Sequence, residues 1–373
     1  MPSSQAKSTK SASETKSGTR IVKKPAQKPS DSLLKQQKLA AWQPNLTAGT
    51  ILPLFFVIGL VFLPVGVLLF ITVTNVQEYV FDYTNCTAVN EEVQGLHMSC
   101  QDSIKDKNNT NTTEACKCEI IVTVSENMPK PVFIYYGLTN YYQNHRRYAK
   151  SRDDAQLLGD FDGTSEDDCA PFHKSASGKP YYPCGAVANS LFNDTFVLYR
   201  DQISSSMSEM VPLNFHGIAW PSDVERKFLN PSADWELVKN KTDHPSNWPK
   251  SIFEMFPNQG VKNESFIVWM RTAALPTFRK LYSRVDHDIE GTNYSNGLPA
   301  GNYTFLIDYN YPVDAFEGRK RIIISGSSWA GGKNPFLAVS YMVTGTVCII
   351  TGFIFLLIHI KFGKSLTEMA SVQ

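Results

Sequence analysis

Two stretches of this 373-residue sequence lack Asp, Glu, Lys and Arg altogether. The first lies between Lys38 and Glu78 and contains the apolar run "ILPLFFVIGLVFLPVGVLLFITV"; the second covers residues 334–360, with His359 at its edge. As α-helices rising about 1.5 Å per residue, both are long enough to cross the roughly 30 Å hydrocarbon core of a bilayer. We therefore predict membrane-spanning helices at residues 51–76 and 334–360.

A cleaved signal peptide is the competing interpretation of the first stretch. Its apolar run is too long, begins too far from Met1 and lacks a small-residue cleavage pattern, and all three features argue against cleavage. Pro53 and Pro64 would break a helix in water, whereas a membrane helix tolerates proline when neighbouring groups bond the freed carbonyls. We therefore interpret the first stretch as a membrane anchor.

The sequence also lacks the common signatures of catalysis. It has no G-x-S-x-G, H-E-x-x-H or C-x-x-C pattern, and its seven histidines are widely scattered. The run "GSSWAGGK" departs from a phosphate-binding loop by one residue in spacing, and no hydroxyl residue follows Lys333. We therefore predict a non-catalytic chain with no metal and no cofactor.

Basic residues are distributed unequally around the two apolar stretches. Residues 1–50 carry nine Lys and Arg against two acidic residues, and residues 361–373 carry two against one. Residues 77–333 hold 25 basic and 32 acidic residues. Because positively charged flanks stay in the cytosol, both termini are predicted to be cytosolic and the acidic segment lumenal or extracellular.

The basic N-terminal tail, residues 1–50, is rich in Ser, Lys and Thr and poor in large apolar side chains at its beginning. Such a composition cannot offset the entropy of ordering, so the tail is predicted to be mostly disordered. Its later part, residues 31–44, is basic and weakly apolar and includes Trp42. We predict that this part lies near the inner membrane surface or against the cytosolic face of a partner.

The acidic segment, residues 77–333, carries two signs of a glycosylating, oxidising compartment. Eight Asn-x-Ser/Thr sites are candidate glycan acceptors: Asn85, Asn108, Asn111, Asn193, Asn240, Asn263, Asn293 and Asn302. Six of the seven cysteines lie in the same segment: Cys86, Cys100, Cys116, Cys118, Cys169 and Cys184. Both signs agree with the side of the membrane that the charge distribution assigns.

The cysteine spacing restricts the possible disulfides. Cys116 and Cys118 are too close to be natural partners, so each is predicted to pair with one of the two preceding cysteines. That leaves Cys169 for Cys184 across a short loop. Spacing alone does not choose between nested and crossed pairings of the first four cysteines.

Much of the acidic segment has the residue pattern of β-strands. In "GNYTFLIDYNYPV", aromatic and aliphatic residues alternate with mainly polar ones, the period of a half-buried strand. The runs "CEIIVTVSE", "FIVWM" and "RIIISG" are similarly predicted to be strands, and "PNQG", "NGLPAG" and "GGKNP" to be turns. We predict a mainly antiparallel β-sandwich with helical insertions between the two membrane helices.

The stretch "NHRRYAKSRDD", residues 144–154, concentrates charge beside aromatic residues. Helical spacing predicts one inward-packing face, made by Leu138, Tyr141, Tyr142, His145 and Tyr148. Arg146 and Arg147 are then left for ion pairs or partner contacts, and residues 152–154 predict a local salt bridge or turn. Nucleic-acid binding is not expected, because the acidic segment repels phosphates and lies outside the cytosol.

Several longer stretches resemble one protein family. They are "AWQPNLTAGTILP", "YYGLTNYYQNHRRYAKSRDDAQL", "PCGAVANSLFNDT", "GIAWPSD", "FIVWMRTAALPTFRKLY", "YNYPV" and "GGKNPFLA". Together they closely resemble the cell division control protein 50 family, also called the transmembrane protein 30 family, from Leu34 to Phe362. The main departure is the long, sequon-rich stretch from Thr87 to Ala115.

Members of that family are accessory β subunits of type IV P-type ATPases, the lipid flippases. The resemblance implies a heterodimer with the catalytic subunit, whose folding, exit from the endoplasmic reticulum and transport cycle depend on this chain. Its substrate would be phosphatidylserine or phosphatidylethanolamine, moved from the exoplasmic to the cytosolic leaflet. The complex would reside in the endoplasmic reticulum, Golgi, endosomes or plasma membrane, depending on the partner.

The resemblance also implies particular covalent features. The disulfides would join Cys86 to Cys118, Cys100 to Cys116 and Cys169 to Cys184, which is the nested arrangement. Asn193, within "NSLFNDT", would be the sequon most certain to carry a glycan. A free-standing glycosylated receptor or adhesion protein is the alternative function that the predicted topology alone allows.

The predicted topology has a direct test at Asn45. Residues 45–47, "NLT", form a sequon on the cytosolic side of the first apolar stretch, so we expect no glycan on Asn45. Mass spectrometry of glycopeptides from protein made in eukaryotic cells would check this, with Asn193 as the lumenal reference. A glycan on Asn45 would overturn the orientation.

Overall fold

The computed structural model of the chain describes residues 31–39, 47–93, 96–104, 116–161, 166–201 and 208–363. The predictions for residues 1–30, for Trp42 and for residues 364–373 lie outside these ranges. The chain divides into two units between Leu54 and Phe55. In the first unit, residues 33–37 form turns, in which the Lys38 amide donates to the Leu33 carbonyl at 2.8 Å.

Apart from short 3₁₀ turns, the helices and strands occur in the following order along the chain. They are α1 (Ala48–Thr74), β1 (Glu78–Asp82), β2 (Thr87–Val93), β3 (Leu96–Ser99), β4 (Cys116–Val124), β5 (Met128–Pro129), β6 (Val132–Leu138), α2 (Arg146–Lys150), α3 (Asp154–Leu157), α4 (Glu166–Cys169), α5 (Ala186–Asn189), β7 (Thr195–Arg200), β8 (Glu209–Met210), β9 (Leu213–Asn214), α6 (Pro221–Arg226), α7 (Trp235–Lys241), α8 (Ile252–Met255), α9 (Glu264–Met270), β10 (Phe278–Val285), β11 (Gly297–Leu298), β12 (Gly301–Tyr309), β13 (Lys320–Gly326) and α10 (Phe336–Phe362).

The two apolar stretches form α1 and α10, each 27 residues long and apolar enough to span a membrane. Each differs from its predicted span by two or three residues at its ends. At α10, Pro335 occupies the N-cap position and the Asn334 side-chain oxygen accepts the Phe336 amide at 3.0 Å. The helix therefore begins at Phe336, two residues after the predicted start at residue 334.

Glycines bring the two long helices into contact. A Cβ added to Gly345 would lie 2.9 Å from the Leu63 amide nitrogen, and one added to Gly66 would lie 2.8 Å from the Met342 amide nitrogen. Beside the glycines, the Phe62 and Tyr341 rings pack with centroids 4.9 Å apart. Backbones this close are typical of small-residue packing between membrane helices.

Between the long helices lies the central domain, residues 77–333, which is built on antiparallel sheets. A five-stranded sheet has the order β1-β13-β6-β10-β9, and a six-stranded sheet has the order β3-β2-β4-β12-β7-β8. A small β11-β5 pair forms a third sheet, and the pairings between the strands named above are antiparallel. Buried residues of both large sheets share one core. For example, the ring of Tyr83, which follows β1, packs edge-on against the ring of Phe196 in β7, with centroids 5.6 Å apart. This architecture confirms the predicted mainly antiparallel domain.

The prediction of a strand at "FIVWM" is wrong, because these residues form the end of helix α9. The Asn263 side chain caps the helix start by accepting the Phe266 amide at 3.0 Å. At the other end, the Lys280 ammonium donates to the carbonyls of Val268, Trp269 and Arg271 at 2.6–2.9 Å. A short apolar run fits either a buried strand or a buried helix, and these polar contacts at its two ends favour the helix.

Three disulfides join Cys86 to Cys118, Cys100 to Cys116 and Cys169 to Cys184. This is the nested arrangement that the family resemblance implied. The first two link β4 to the segments around β2 and β3, and all six sulfur-bearing residues are buried. They therefore attach one edge of the six-stranded sheet covalently to its centre.

One fully buried ion pair lies at the centre of the domain. The Lys320 ammonium, at the start of β13, donates to the Asp194 carboxylate just before β7 at 2.6 Å, and neither side chain is exposed. The carboxylate also accepts the Tyr83 hydroxyl at 2.8 Å and the backbone amides of Asn310 and Tyr311 at 2.6 and 2.7 Å. Burial lowers the pKa of Lys320 to about 8, although the Asp194 charge acts in the opposite direction.

We expect Lys320→Met to destabilise the domain by about 3–5 kcal/mol, because it leaves the Asp194 carboxylate buried without its counter-charge. Thermal and denaturant unfolding of the detergent-purified protein would measure the change. The control is Lys239→Met, which removes ion pairs to Glu236 and Glu254 near the surface and should change the stability far less than Lys320→Met. If Lys320→Met does not fold, addition of Asp194→Asn should restore part of the yield; equal yields of the single and double variants would contradict the coupling.

We expect Gly345→Leu to separate α1 from α10, because its side chain has no space beside Leu63. In a Cys348→Ser background, Phe62→Cys with Tyr341→Cys should form a disulfide on mild oxidation, and Gly345→Leu should abolish it. Gly49→Leu is the control, since among the described residues a Cβ there has only the Thr47 hydroxyl within 4 Å. Retained cross-linking with Gly345→Leu would show that the glycine contact does not hold the pair together.

Candidate partner-binding surface

The stretch around Arg146 differs from its prediction. The predicted continuous helical face from Leu138 to Tyr148 is wrong: Leu138 ends β6, and α2 begins only at Arg146. Asn140 between them adopts a positive φ of 58°, and the Tyr141 amide donates to the Pro276 carbonyl at 3.0 Å. The chain therefore turns against the segment before β10 before it can form a helix.

Two of the predicted inward-facing aromatic residues nevertheless pack inward. The Tyr141 ring contacts the Phe316 ring at 5.1 Å and the Trp269 ring at 5.9 Å between centroids. The Tyr148 and Ser190 hydroxyls are hydrogen-bonded at 2.8 Å, and burial raises the pKa of Tyr148 above its ordinary value. Tyr142, by contrast, is exposed. A turn followed by a short helix thus replaces the predicted aromatic face.

Arg146 and Arg147 are exposed on α2 and have no ion pair or hydrogen bond within the described ranges. Their position along the sheet is defined by β6. Val132 at its start is opposite Gly326, which precedes α10, whereas Leu138 at its end is opposite Lys320. At about 3.3 Å per residue, the strand carries the chain roughly 20 Å away from the membrane helix before the turn to α2.

The predicted salt bridge and turn after α2 are both present. The Arg152 guanidinium lies 3.0 Å from the Asp154 carboxylate. The Asp153 side chain accepts the amides of Ala155 and Gln156, which caps α3. The acidic residues of "SRDD" thus fix the local backbone and position Arg152.

Arg152 also lines a cavity of about 460 Å³, here called the basic cavity. Its charged residues are Arg152, Asp154, Asp223, Arg226, Lys227 and Arg271. Asp223 is buried and accepts Lys227 at 2.6 Å, and Arg271 lies 3.5 Å from it. Four basic residues thus face two acidic ones inside an acidic domain, so the basic cavity is a local positive patch that suits an acidic partner segment.

An exposed tryptophan adjoins the basic cavity. The Arg271 guanidinium lies 4.8 Å from the centre of the Trp220 ring, which is 63% exposed. Sequence reasoning did not identify Trp220, Arg226, Lys227 or Arg271 as site residues. The signal was present in the motifs "GIAWPSD" and "VWMRTAALP", which carry Trp220 and Arg271, but only the fold shows that the two motifs meet.

The sequon asparagines differ in their surroundings. Asn108 and Asn111 lie outside the described residues. The exposed ones are Asn85, Asn193, Asn240, Asn293 and Asn302. Asn263 is half-buried; it caps α9, and its Nδ2 donates to the Gln259 side-chain oxygen at 2.6 Å. Both the oxygen and the nitrogen of its side-chain amide are therefore already hydrogen-bonded within the domain.

One group of possible metal ligands lies close together among the described residues. The Cys86, Cys100 and Cys118 sulfurs lie within 4.8 Å of one another. Because all three are in disulfides, none is available as a thiolate ligand. The group is therefore a pair of adjacent disulfides.

Comparison with known proteins identifies one family. The family model described as "LEM3 (ligand-effect modulator 3) family / CDC50 family" matches residues 69–365. Among similar proteins, "Cell cycle control protein 50A" of Mus musculus is 44% identical over 91% of this chain and 91% of its own length. "Cell cycle control protein 50B" of Homo sapiens is 43% identical over 90% and 95%, respectively.

A plant protein is similar over the same extent. "Putative ALA-interacting subunit 4" of Arabidopsis thaliana is 36% identical over 91% of this chain and 92% of its own length. The region that the family model matches contains the last six residues of α1, the whole central domain and α10. With the two long helices, the antiparallel domain and the three disulfides between them, these matches show that the chain belongs to the LEM3/CDC50 family.

Proposed function

We propose that the chain is the non-catalytic accessory (β) subunit of a type IV P-type ATPase, a phospholipid flippase. Membership of the LEM3/CDC50 family carries the proposal. The plant relative is named as an interacting subunit, so we expect this chain to bind a partner as well. The catalytic subunit hydrolyses ATP and selects the lipid, and this chain performs no chemistry.

The membrane segment supports an accessory role. Two helices are too few to enclose a path for a lipid headgroup, and α1 and α10 pack on each other through their glycines. Several of their large apolar side chains are exposed, for example Leu60 and Leu357. Those outer faces are available to membrane lipids and to the helices of a multi-spanning partner.

The central domain supports the same role on the exoplasmic side. We place both termini in the cytosol and the domain in the lumen or outside the cell, with glycans on its exposed sequons. Three disulfides and a shared core make it a rigid body that can hold short loops of the partner. The basic cavity and the arginines of α2 provide positive charge for acidic groups of those loops.

This subunit would enable the ATPase to fold, leave the endoplasmic reticulum and complete its transport cycle. The transported lipids would be aminophospholipids, phosphatidylserine or phosphatidylethanolamine, moved from the exoplasmic to the cytosolic leaflet. The complex would reside in the endoplasmic reticulum, Golgi, endosomes or plasma membrane, as the partner dictates. The heterodimer would thereby maintain membrane asymmetry.

Purification in mild detergent tests the proposal. A stoichiometric P-type ATPase should accompany the chain, and ATP-dependent aminophospholipid transport should require both subunits. Recovery of the chain alone would instead support a free-standing receptor or adhesion protein. Hydrolase activity that persists after removal of the ATPase would indicate an ectoenzyme.

We expect Arg146→Ala with Arg147→Ala to lower the amount of ATPase recovered per amount of chain, because two exposed cations are lost that have no ion pair with any described residue. Quantitative co-purification and export from the endoplasmic reticulum would measure the change. Lys117→Ala with Lys130→Ala is the charge-matched control, since both lysines are exposed elsewhere on the domain. Normal assembly with an altered lipid preference would contradict the prediction and indicate headgroup contact.

A further inference from the structure

A second cavity of the central domain, about 640 Å³ in volume, opens beside Asn193. It is called here the Asn193 cavity and is lined mainly by apolar side chains, among them Phe192, Phe215, Met255, Phe256 and Tyr282. Phe215 is 41% exposed and packs edge-on against Tyr282, with ring centroids 5.4 Å apart. A partly open cavity of this size and lining is suited to an occupant that excludes water from its aromatic walls.

Asn193 combines a fixed backbone with a free side chain. Its carbonyl accepts the Asn310 side chain at 3.2 Å, and the next residue is Asp194, which is fixed by the buried ion pair. The Asn193 amide itself is exposed and has no hydrogen-bond partner within the described ranges. A group attached to its Nδ2 would therefore leave the domain from a fixed point at the cavity.

We propose that the first sugars of an N-linked glycan on Asn193 occupy the Asn193 cavity and pack against Phe215 and Tyr282. The inference rests on the glycosylation of Asn193 that the proposed function includes. A pyranose ring presents C–H groups on one face, which suit an aromatic wall, and hydroxyls at its edges. Lys262 and His216 are exposed at the cavity and can meet those hydroxyls.

The other sequons in the described ranges do not share this arrangement. Asn263 also lines the cavity, but both ends of its amide are already hydrogen-bonded as the cap of α9. Asn240 lies on the exposed side of α7, and Asn302 lies on an exposed position of β12. A glycan on either would extend into solvent, so these two sites are internal references.

The experiment uses the intact complex from eukaryotic cells, in its native state. Glycopeptide mass spectrometry first establishes occupancy, and then follows the release of each glycan by peptide N-glycosidase, which cuts at the asparagine amide. We expect release at Asn193 to be about tenfold slower than at Asn240 and Asn302, and all rates to become equal after denaturation. Phe215→Ala should bring the Asn193 rate close to the reference rates.

The control variant is Tyr142→Ala, which removes an exposed aromatic ring that does not line the cavity and should leave all rates unchanged. An unoccupied Asn193, or release there as fast as at the references, would overturn the inference. Slow release that Phe215→Ala does not change would also overturn it, since the partner subunit would then be the shield. Co-purification of the ATPase in the same samples reports separately on the proposed function.

Discussion

The buried ion pair between Asp194 and Lys320 is the contact on which the central domain depends. Lys320 begins β13 of the five-stranded sheet, and Asp194 precedes β7 of the six-stranded sheet, so one bond joins the two sheets. The carboxylate also accepts amides from the chain that follows β12. The motifs "NSLFNDT" and "YNYPV", distant in sequence, therefore meet at a single carboxylate, whose loss would leave a charge uncompensated in the core.

A second buried cation, Lys280, stabilises the helical side of the domain and has no carboxylate partner in the described part of the chain. Lys280 donates to three carbonyls at the end of α9 and lies 4.9 Å from the centre of the Trp269 ring. The partial negative charge of a helix C-terminus stabilises such a cation, whereas burial lowers the pKa of Lys280 well below its ordinary value. The long motif "VWMRTAALPTFRKLY" is thus one structural unit: a helix, its terminal cation, and Arg271 directed to the basic cavity.

These internal contacts suit the proposed role of an accessory subunit, which has only two membrane helices of its own. The long helices bind each other through glycines, and the domain between them is closed by disulfides and buried charges. Other cations lie at the surface, on α2 and around the basic cavity. This combination of a rigid interior with charged surface groups suits an accessory subunit, because the surface charges keep their positions when the partner changes conformation.

The sequence by itself determined the two long apolar helices and the strands of "CEIIVTVSE" and "RIIISG", since length without charge and period-two alternation are local signals. It also contained the salt bridge of Arg152 with Asp154, whose partners are neighbours in the chain. Spacing left the pairing of the first four cysteines open. Apolar periodicity did not distinguish a strand from a helix at "FIVWM", where the polar contacts of Asn263 and Lys280 favour the helix. Only the tertiary structure ended β6 before α2 and brought Trp220 to Arg271, because the groups that meet there are far apart in sequence.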